Sequence, residues 1–201
     1  SPHRLVVIDQ QTGAPKDIGL LSIASLEGLA FDPNSNTLYG ARGDGVLYHI
    51  NTLTAAPTEI DSMVFADIGG LAFDRFANEL YAVSNASGTT RILSVNPSTG
   101  ASVSVHTGGS WNVQSLAFYE KDRLLYGIDV AADALIRFDP VNDTSEVVGT
   151  MASVVGSHGM AGKTPMPTTL FAGVDTGNRI GRLNRSGHYG GTLLSNNMDV
   201  S

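Results

Sequence analysis

Five aspartates carry the clearest chemical potential in this chain. Asp44, Asp67, Asp129, Asp133 and Asp175 each sit in a short polar stretch between apolar runs. Two of them close matching segments, Gly127-Ile128-Asp129 and Gly173-Val174-Asp175. Carboxylates gathered at one mouth would hold a hard cation or a polar ligand. Tight turns use the same residue type for another reason, because Asp bonds its own backbone two residues on. No Asp-x-Asp-x-Asp-Gly loop occurs, so no cofactor is assigned and calcium is the one ion this acidic set could take. His3, His49, His106, His158 and His188 are scattered, with no His-Glu-x-x-His spacing to bind zinc. Serines are plentiful, but none stands in a Gly-x-Ser-x-Gly elbow. Asp129, Asp175 and His158 are the acid–base candidates if the chain catalyses anything; no catalytic residue is assigned.

Recognition signals are as sparse. Arg42-Gly43-Asp44 spells the integrin-recognition tripeptide. Trp111, beside Asn112, offers a flat aromatic face to a sugar or a partner, or packs on a neighbouring element. Asn85-Ala86-Ser87, Asn142-Asp143-Thr144 and Asn184-Arg185-Ser186 are glycosylation sequons, which matter only in a eukaryotic secretory host. The candidate ligand-binding residues are therefore Arg42, Asp44, Asn85, Trp111, Asp129, His158 and Asp175.

The elements that must position them repeat. Gly28-Leu29-Ala30-Phe31-Asp32 returns as Gly70-Leu71-Ala72-Phe73-Asp74, as Ser115-Leu116-Ala117-Phe118-Tyr119 and, weakly, as Gly159-Met160-Ala161-Gly162. Leu38-Tyr39-Gly40 returns as Leu80-Tyr81-Ala82, Leu125-Tyr126-Gly127 and Leu170-Phe171-Ala172. Ile8-Asp9 returns as Ile50-Asn51, Val95-Asn96, Phe138-Asp139 and Leu183-Asn184. All three markers keep a period of 42 to 45 residues. Within a unit, short runs of β-formers alternate with turns such as Asn96-Pro97-Ser98-Thr99-Gly100. No window shows a 3.6-residue period, so helix content should be near zero.

Four strands per unit at this period predict an all-β fold, a β-propeller of four-stranded antiparallel blades. A β-sandwich is the alternative, although it requires no fixed period. The spacing predicts four full blades plus a half blade in a single domain. The half blade covers 1–24, and the blades cover about 25–66, 67–111, 112–156 and 157–201. Leu and Phe of each inner strand are expected to wedge between blades, with the alanines leaving room. Asp199-Val200-Ser201 aligns with Asp67-Ile68-Gly69, just before an inner strand. A continuation supplying the missing inner half would close a five-bladed ring; further blades, or self-association through the incomplete blade, are the alternatives that would cover its open edge. In such a ring the loops after each blade's second and fourth strands share one face. The first kind would be Arg42–Gly45, Ser84–Thr89, Asp129–Asp133 and Asp175–Asn178. The second would lie near Ser25–Glu27, Phe65–Asp67, Ser110–Asn112 and Gly156–His158. All seven candidate residues fall on that face.

Composition narrows the function classes. The formal net charge is −7, which argues against a nucleic-acid surface. There is no cysteine, which removes disulfides and thiolate metal sites. No apolar run approaches the roughly 18 residues of a membrane helix.

The sequence Gly-Leu-Ala-Phe-Asp, then Leu-Tyr-Gly, then a strand ending in Ile-Asp or Ile-Asn, resembles bacterial extracellular propeller repeats of the surface-layer and NHL-like kinds. The resemblance covers nearly the whole chain and concerns fold grammar. It implies an extracellular or cell-surface setting and a choice among adhesins, scaffolds, lyases and lactonases, because fold does not fix function. The leading expectation is a non-enzymatic binding or scaffold module that recognises a protein or glycan through the loop face. The alternatives are a propeller enzyme of lyase or metal-dependent lactonase type, and a self-assembling structural subunit.

Overall fold

The computed structural model describes residues 4–9 and 14–151 in full, and the backbone alone of His3 and of 157–162, 170–174, 179–183 and 189–192. β1 (His3–Ile8) and β2 (Pro15–Leu21) form a two-stranded ribbon. The first four-stranded sheet holds β3 (Leu26–Asp32), β4 (Thr37–Arg42), β5 (Val46–Ile50) and β6 (Pro57–Ser62). The second holds β7 (Ile68–Asp74), β8 (Glu79–Ser84), β9 (Arg91–Val95) and β10 (Ser102–Thr107). The third holds β11 (Val113–Tyr119), β12 (Leu124–Asp129), β13 (Ala134–Asp139) and β14 (Thr144–Thr150). The fourth holds β15 (Ser157–Gly162), β16 (Leu170–Val174), β17 (Arg179–Leu183) and β18 (Tyr189–Thr192). Every sheet is an antiparallel meander in chain order. Among the described residues the only helical piece is a 3-10 turn at Ala86–Gly88.

The repeated Asp and Asn residues make these meanders. Asp32 and Asp74 accept the backbone N–H of Asn34 and Phe76 at 2.8 and 2.9 Å, reversing the chain after the first strand. Asn51, Asn96 and Asp139 accept from Leu53, Ser98 and Val141 at 2.9 to 3.0 Å and reverse it after the third. Each is an Asx turn, the local bond that favours these side chains outside regular ladders.

The sheets pack through their inner strands. β3, β7, β11 and β15 stand side by side, each touching the next. Glycine allows that approach: a Cβ at Gly28 would lie 2.9 Å from the Leu71 nitrogen, and one at Gly70 would lie 2.6 Å from the Leu116 nitrogen. Cross-strand register sets Ala30 beside Tyr39, Ala72 beside Tyr81 and Ala117 beside Tyr126. Each alanine leaves a recess flanked by a ring, and the next sheet fills the first two. Leu71 and Phe73 share a cluster with Ala30 and Tyr39, and Leu116 and Phe118 share one with Ala72 and Tyr81. Phe73 stacks on Tyr39 with centroids 6.5 Å apart. Burying one such Leu or Phe is worth about 1.5–3 kcal/mol. At the turn end, the buried Asp74 pairs with Arg123 of the third sheet at 2.8 Å.

The first sheet differs on its outward side. Leu29 and Phe31 hold the places of Leu71 and Phe73, yet each is 47% exposed, against 2% for Leu71, 4% for Leu116 and 9% for Phe118. The ribbon covers only the outer part of this side, where Leu5, Leu21 and Ile23 cluster with Tyr48 and Ile50. A hollow of about 350 Å³ lies along the inner strands, lined by Leu29, Phe31, Phe73 and Phe118 and bordered by Arg75 and Glu120. Those two charges pair at 2.7 Å.

Candidate functional site

Antiparallel pairing puts the segments 22–25, 43–45, 63–67, 85–90, 108–112 and 130–133 at one end of the sheets. Five of the seven candidate residues are described there, and they fall into two groups.

Asn85, Trp111 and Asp129 converge on residues 111–113. The buried Asn85 amide works like a short strand: its Nδ2 donates to the Val113 carbonyl and its Oδ1 accepts the Val113 N–H, both at 3.0 Å. It thereby ties the second sheet to the third. Between the first and second sheets the same link is made by backbone alone, from the Ile68 N–H to the Gly43 carbonyl at 3.1 Å. Asp129 is buried, and its Oδ1 accepts the N–H of Asn112 and of Ala131, each at 3.0 Å. One carboxylate thus fixes a loop on either side of its strand. Trp111 is half-buried, with its ring edge-on to Phe138 at 5.8 Å. Its N–H and carbonyl both bond the Thr90 hydroxyl, at 3.2 and 2.9 Å. The ring lies against Gly109, whose φ of +74° and crowded Cα side both exclude a side chain.

Arg42 and Asp44 form the second group, on the first sheet. They pair at 2.6 Å, and Asp44 also accepts the Val46 N–H at 3.4 Å. Arg42 donates to the Tyr48 hydroxyl at 3.4 Å, and this bond first, then Asp44, raises the guanidinium pKa further. The Arg-Gly-Asp tripeptide is therefore closed on itself by its own ion pair. His158 lies on β15, where only the backbone is described, and Asp175 lies outside the described residues. The two groups stand on different sheets.

Two residues that the sequence did not single out, Thr90 and Ser84, hold this end together with Asp133, one of the five aspartates. Thr90 brackets Trp111, and the Ser84 hydroxyl donates to the Ala66 carbonyl at 2.6 Å. Asp133 accepts the Met151 N–H through its own carbonyl, while its side-chain Oδ1 is buried with no partner. Ser84 and Asp129 occupy the last position of their second strands, as Arg42 does, so the repeat itself was the signal. Thr90 has no counterpart that would have marked it. Asp44, Asp67, Ser110 and Asn112 remain exposed and give the face its polar, acidic surface. Among the described residues, no group of three or more His, Asp or Glu is placed to hold a metal ion.

Comparison with solved structures decides the architecture. The chain matches a structure in the nidogen/laminin complex with a TM-score of 0.68 at 13% identity, over 93% of this chain and 70% of that one. It matches a structural genomics protein from Bacteroides thetaiotaomicron with a TM-score of 0.67 at 14% identity, over 90% and 53%. It matches hydrazine synthase from Kuenenia stuttgartiensis with a TM-score of 0.61 at 14% identity, over 92% and 52%. The fold is that of a β-propeller. The four-stranded sheets are its blades, and the likeness at these identities concerns fold alone. The chain spans about half the length of the last two proteins. No protein-family model matches the sequence, and no curated protein matches it. Among the described residues no helix is long and apolar enough to cross a membrane.

Proposed function

We propose that this propeller is a non-enzymatic binding or scaffold module that recognises a protein or a glycan through its loop face. One observation carries the reading. Asp129, the described side chain with the best claim to acid–base chemistry, is buried and spends its Oδ1 on two backbone N–H groups. Asn85 is likewise consumed by Val113. Groups used in this way stiffen a surface; they do not exchange protons with a substrate. A stiffened face lowers the ordering cost of binding. A neighbour of the same fold is seen in a protein–protein complex, that of nidogen with laminin, which supports protein recognition. The contact residues in this reading are Arg42, Asp44 and Trp111 with the exposed Asn112, joined by His158 and Asp175. The proposal extends to a bacterial cell-surface or secreted setting, as the repeat grammar suggests. It also takes the ribbon of β1 and β2 as the outer half of a fifth blade.

A panel of immobilised extracellular proteins and glycans tests it, with binding read by interferometry. Asn112→Arg and Asp44→Lys, on the loop face, should weaken the wild-type interaction about tenfold or more. Val103→Lys, on an outer strand, should leave it unchanged. Two results would overturn the reading: no ligand bound tighter than about 1 mM, or turnover of a lactone or polysaccharide that Asp129→Asn abolishes.

A further inference from the structure

The outer contacts between sheets repeat as the inner ones do, and among the described residues one of them is chemically unlike the rest. Ala55, Gly100 and Asp143 hold one place in the repeat, in the turn after the third strand, and each has a positive φ, of 61°, 70° and 52°. Each of these turns meets the fourth strand of the sheet before it. A Cβ at Gly19 of β2 would stand 3.3 Å from that of Ala55, and one at Gly100 would stand 3.0 Å from that of Asp61 on β6. Glycine thus takes one side of both contacts. Between the second and third sheets the pair is instead His106 of β10 with Asp143, joined at 2.8 Å through the imidazole Nδ1. The His106 ring is buried, whereas the Asp143 side chain is 69% exposed.

A carboxylate only accepts, so Nδ1 carries the hydrogen and the neutral ring leaves Nε2 bare. That nitrogen is buried without a partner. It lies against Gly108, where a Cβ would stand 3.3 Å from it, and the Gly108 N–H is spent on the Thr90 carbonyl at 3.1 Å. The other charged groups on the neighbouring elements are engaged elsewhere. Asp139 accepts from Val141 and Asn142, Glu146 pairs with Arg137, and Arg91 donates to the Ala86 and Thr89 carbonyls. A second proton on the ring would therefore place a donor on Nε2 where nothing accepts it, which is a costly buried group. The exposed Asp143 returns little of that cost, because ion pairs open to water are weak.

We infer that His106 and Asp143 form an acid-released latch between the second and third blades. Histidine is the side chain whose charge changes between about pH 5 and about pH 8. At the upper end of that range the latch is neutral and closed. The imidazolium formed at the lower end must turn Nε2 toward water, which parts β10 from the turn of residues 139–144. The contact thus stabilises the interface while His106 is neutral, and that stabilisation is lost as pH falls. The loop face feels the change through Phe138, on which both His106 and Trp111 pack, each with centroids 5.8 Å apart. Acid loosens residues 108–112 and with them the seat of Trp111. Only the consequence for ligand binding, which is weakening in acid, rests on the loop-face reading; the latch is a property of the fold.

Amide-exchange protection and thermal unfolding of the whole chain, at about pH 8 and about pH 5, test this without any ligand. His106→Phe keeps a ring against Phe138 and removes the titration. Asp143→Asn keeps an acceptor for the Nδ1 hydrogen and suits the left-handed backbone there, but removes the charge that offsets part of the imidazolium. In the wild-type chain, protection of β10 and of residues 108–112 should fall about fivefold or more in acid, while β7 and β8 keep theirs. His106→Phe should abolish that fall and Asp143→Asn should deepen it. Wild type should also lose about 3 °C more in Tm on acidification than His106→Phe, a difference that separates His106 from the other four histidines. An equal acid loss in wild type and His106→Phe overturns the inference. Protection that rises in acid overturns it too, because the two groups then hold as an ion pair. Should His106→Phe lack wild-type protection in β7 and β8, Asp143→Asn decides alone, and an undeepened fall overturns the inference. A failed ligand screen leaves these readouts untouched, and a failed latch leaves binding at neutral pH intact, so the two proposals fail separately.

Discussion

Leu29 and Leu71 hold the same place in the repeat, carry the same side chain and lie in the same kind of strand. One is about half exposed and the other is sealed. The difference lies in the sheet in front. Leu71 faces β3 and β4, with Ala30 and Tyr39 shaped to receive it. Leu29 faces a ribbon that reaches only the outer strands. The interfaces of the first with the second sheet and of the second with the third are each made by two unlike surfaces, a recess of Ala beside Tyr and a wedge of Leu with Phe. A sheet therefore completes its neighbour, and the first sheet shows a wedge without a recess.

The largest effect expected from this contrast is in core truncation. Leu71→Ala should cost about 3 kcal/mol in urea unfolding, since it empties a filled recess. Leu29→Ala should cost about 1 kcal/mol or less, because half of that side chain is in water already. Equal losses would break the comparison and mean that the β3 side is covered in solution.

Close approach of backbones gives a second, somewhat smaller contrast. A Cβ at Gly69 would collide with the Val113 carbonyl oxygen, the group that also accepts from Asn85. Gly43 has only the Glu27 side chain, 3.5 Å from where its Cβ would stand. Gly69→Ala should cost about 2–3 kcal/mol through the forced shift of β11, and Gly43→Ala should be near neutral. Tm shifts of the two variants check this. A harmless Gly69→Ala would show that the second and third sheets are less tightly joined than their geometry implies.

The period was legible because the same packing problem is solved in each unit. Gly28 and Gly70 mark backbone contact, Ala30 and Ala72 mark the recess, and Asn51, Asn96 and Asp139 mark a turn. All of these are local in sequence. The roles of Asn85 and Asp129 were not legible. An Asn or Asp after an apolar run reads equally as a ligand or as a turn residue, and only the partner decides. Val113 lies 28 residues from Asn85, in the next sheet. Trp111 was open between platform and packing until Phe138 was placed beside it. Leu29 and Phe31 were illegible for the opposite reason. Their repeat context matches that of the buried copies, and exposure depends on a neighbouring sheet that the local pattern does not describe.

Three tyrosines sharpen the contrast at the finest scale. Tyr39, Tyr81 and Tyr126 occupy one repeat position, and burial raises the pKa of each phenol. Tyr126 is pushed up to about 12, by burial first and then by its bond to Asp122, to which it donates at 2.7 Å. Glu79 plays the corresponding part for Tyr81. The folded-state values lie above the unfolded value of 10.0. The stabilisation is therefore fully present below that pH and is lost as pH rises through the folded value, near 12 for Tyr126. Tyr126→Phe should change stability at neutral pH by about 1 kcal/mol or less, the net worth of one hydrogen bond. It should also flatten the alkaline fall in urea-unfolding stability. A slope left unchanged would assign that fall to Tyr39 and Tyr81, whose rings are covered by described neighbours in the second and third sheets. Recess closure by the following sheet, rather than the carboxylate beside the phenol, would then set how strongly each tyrosine resists ionisation.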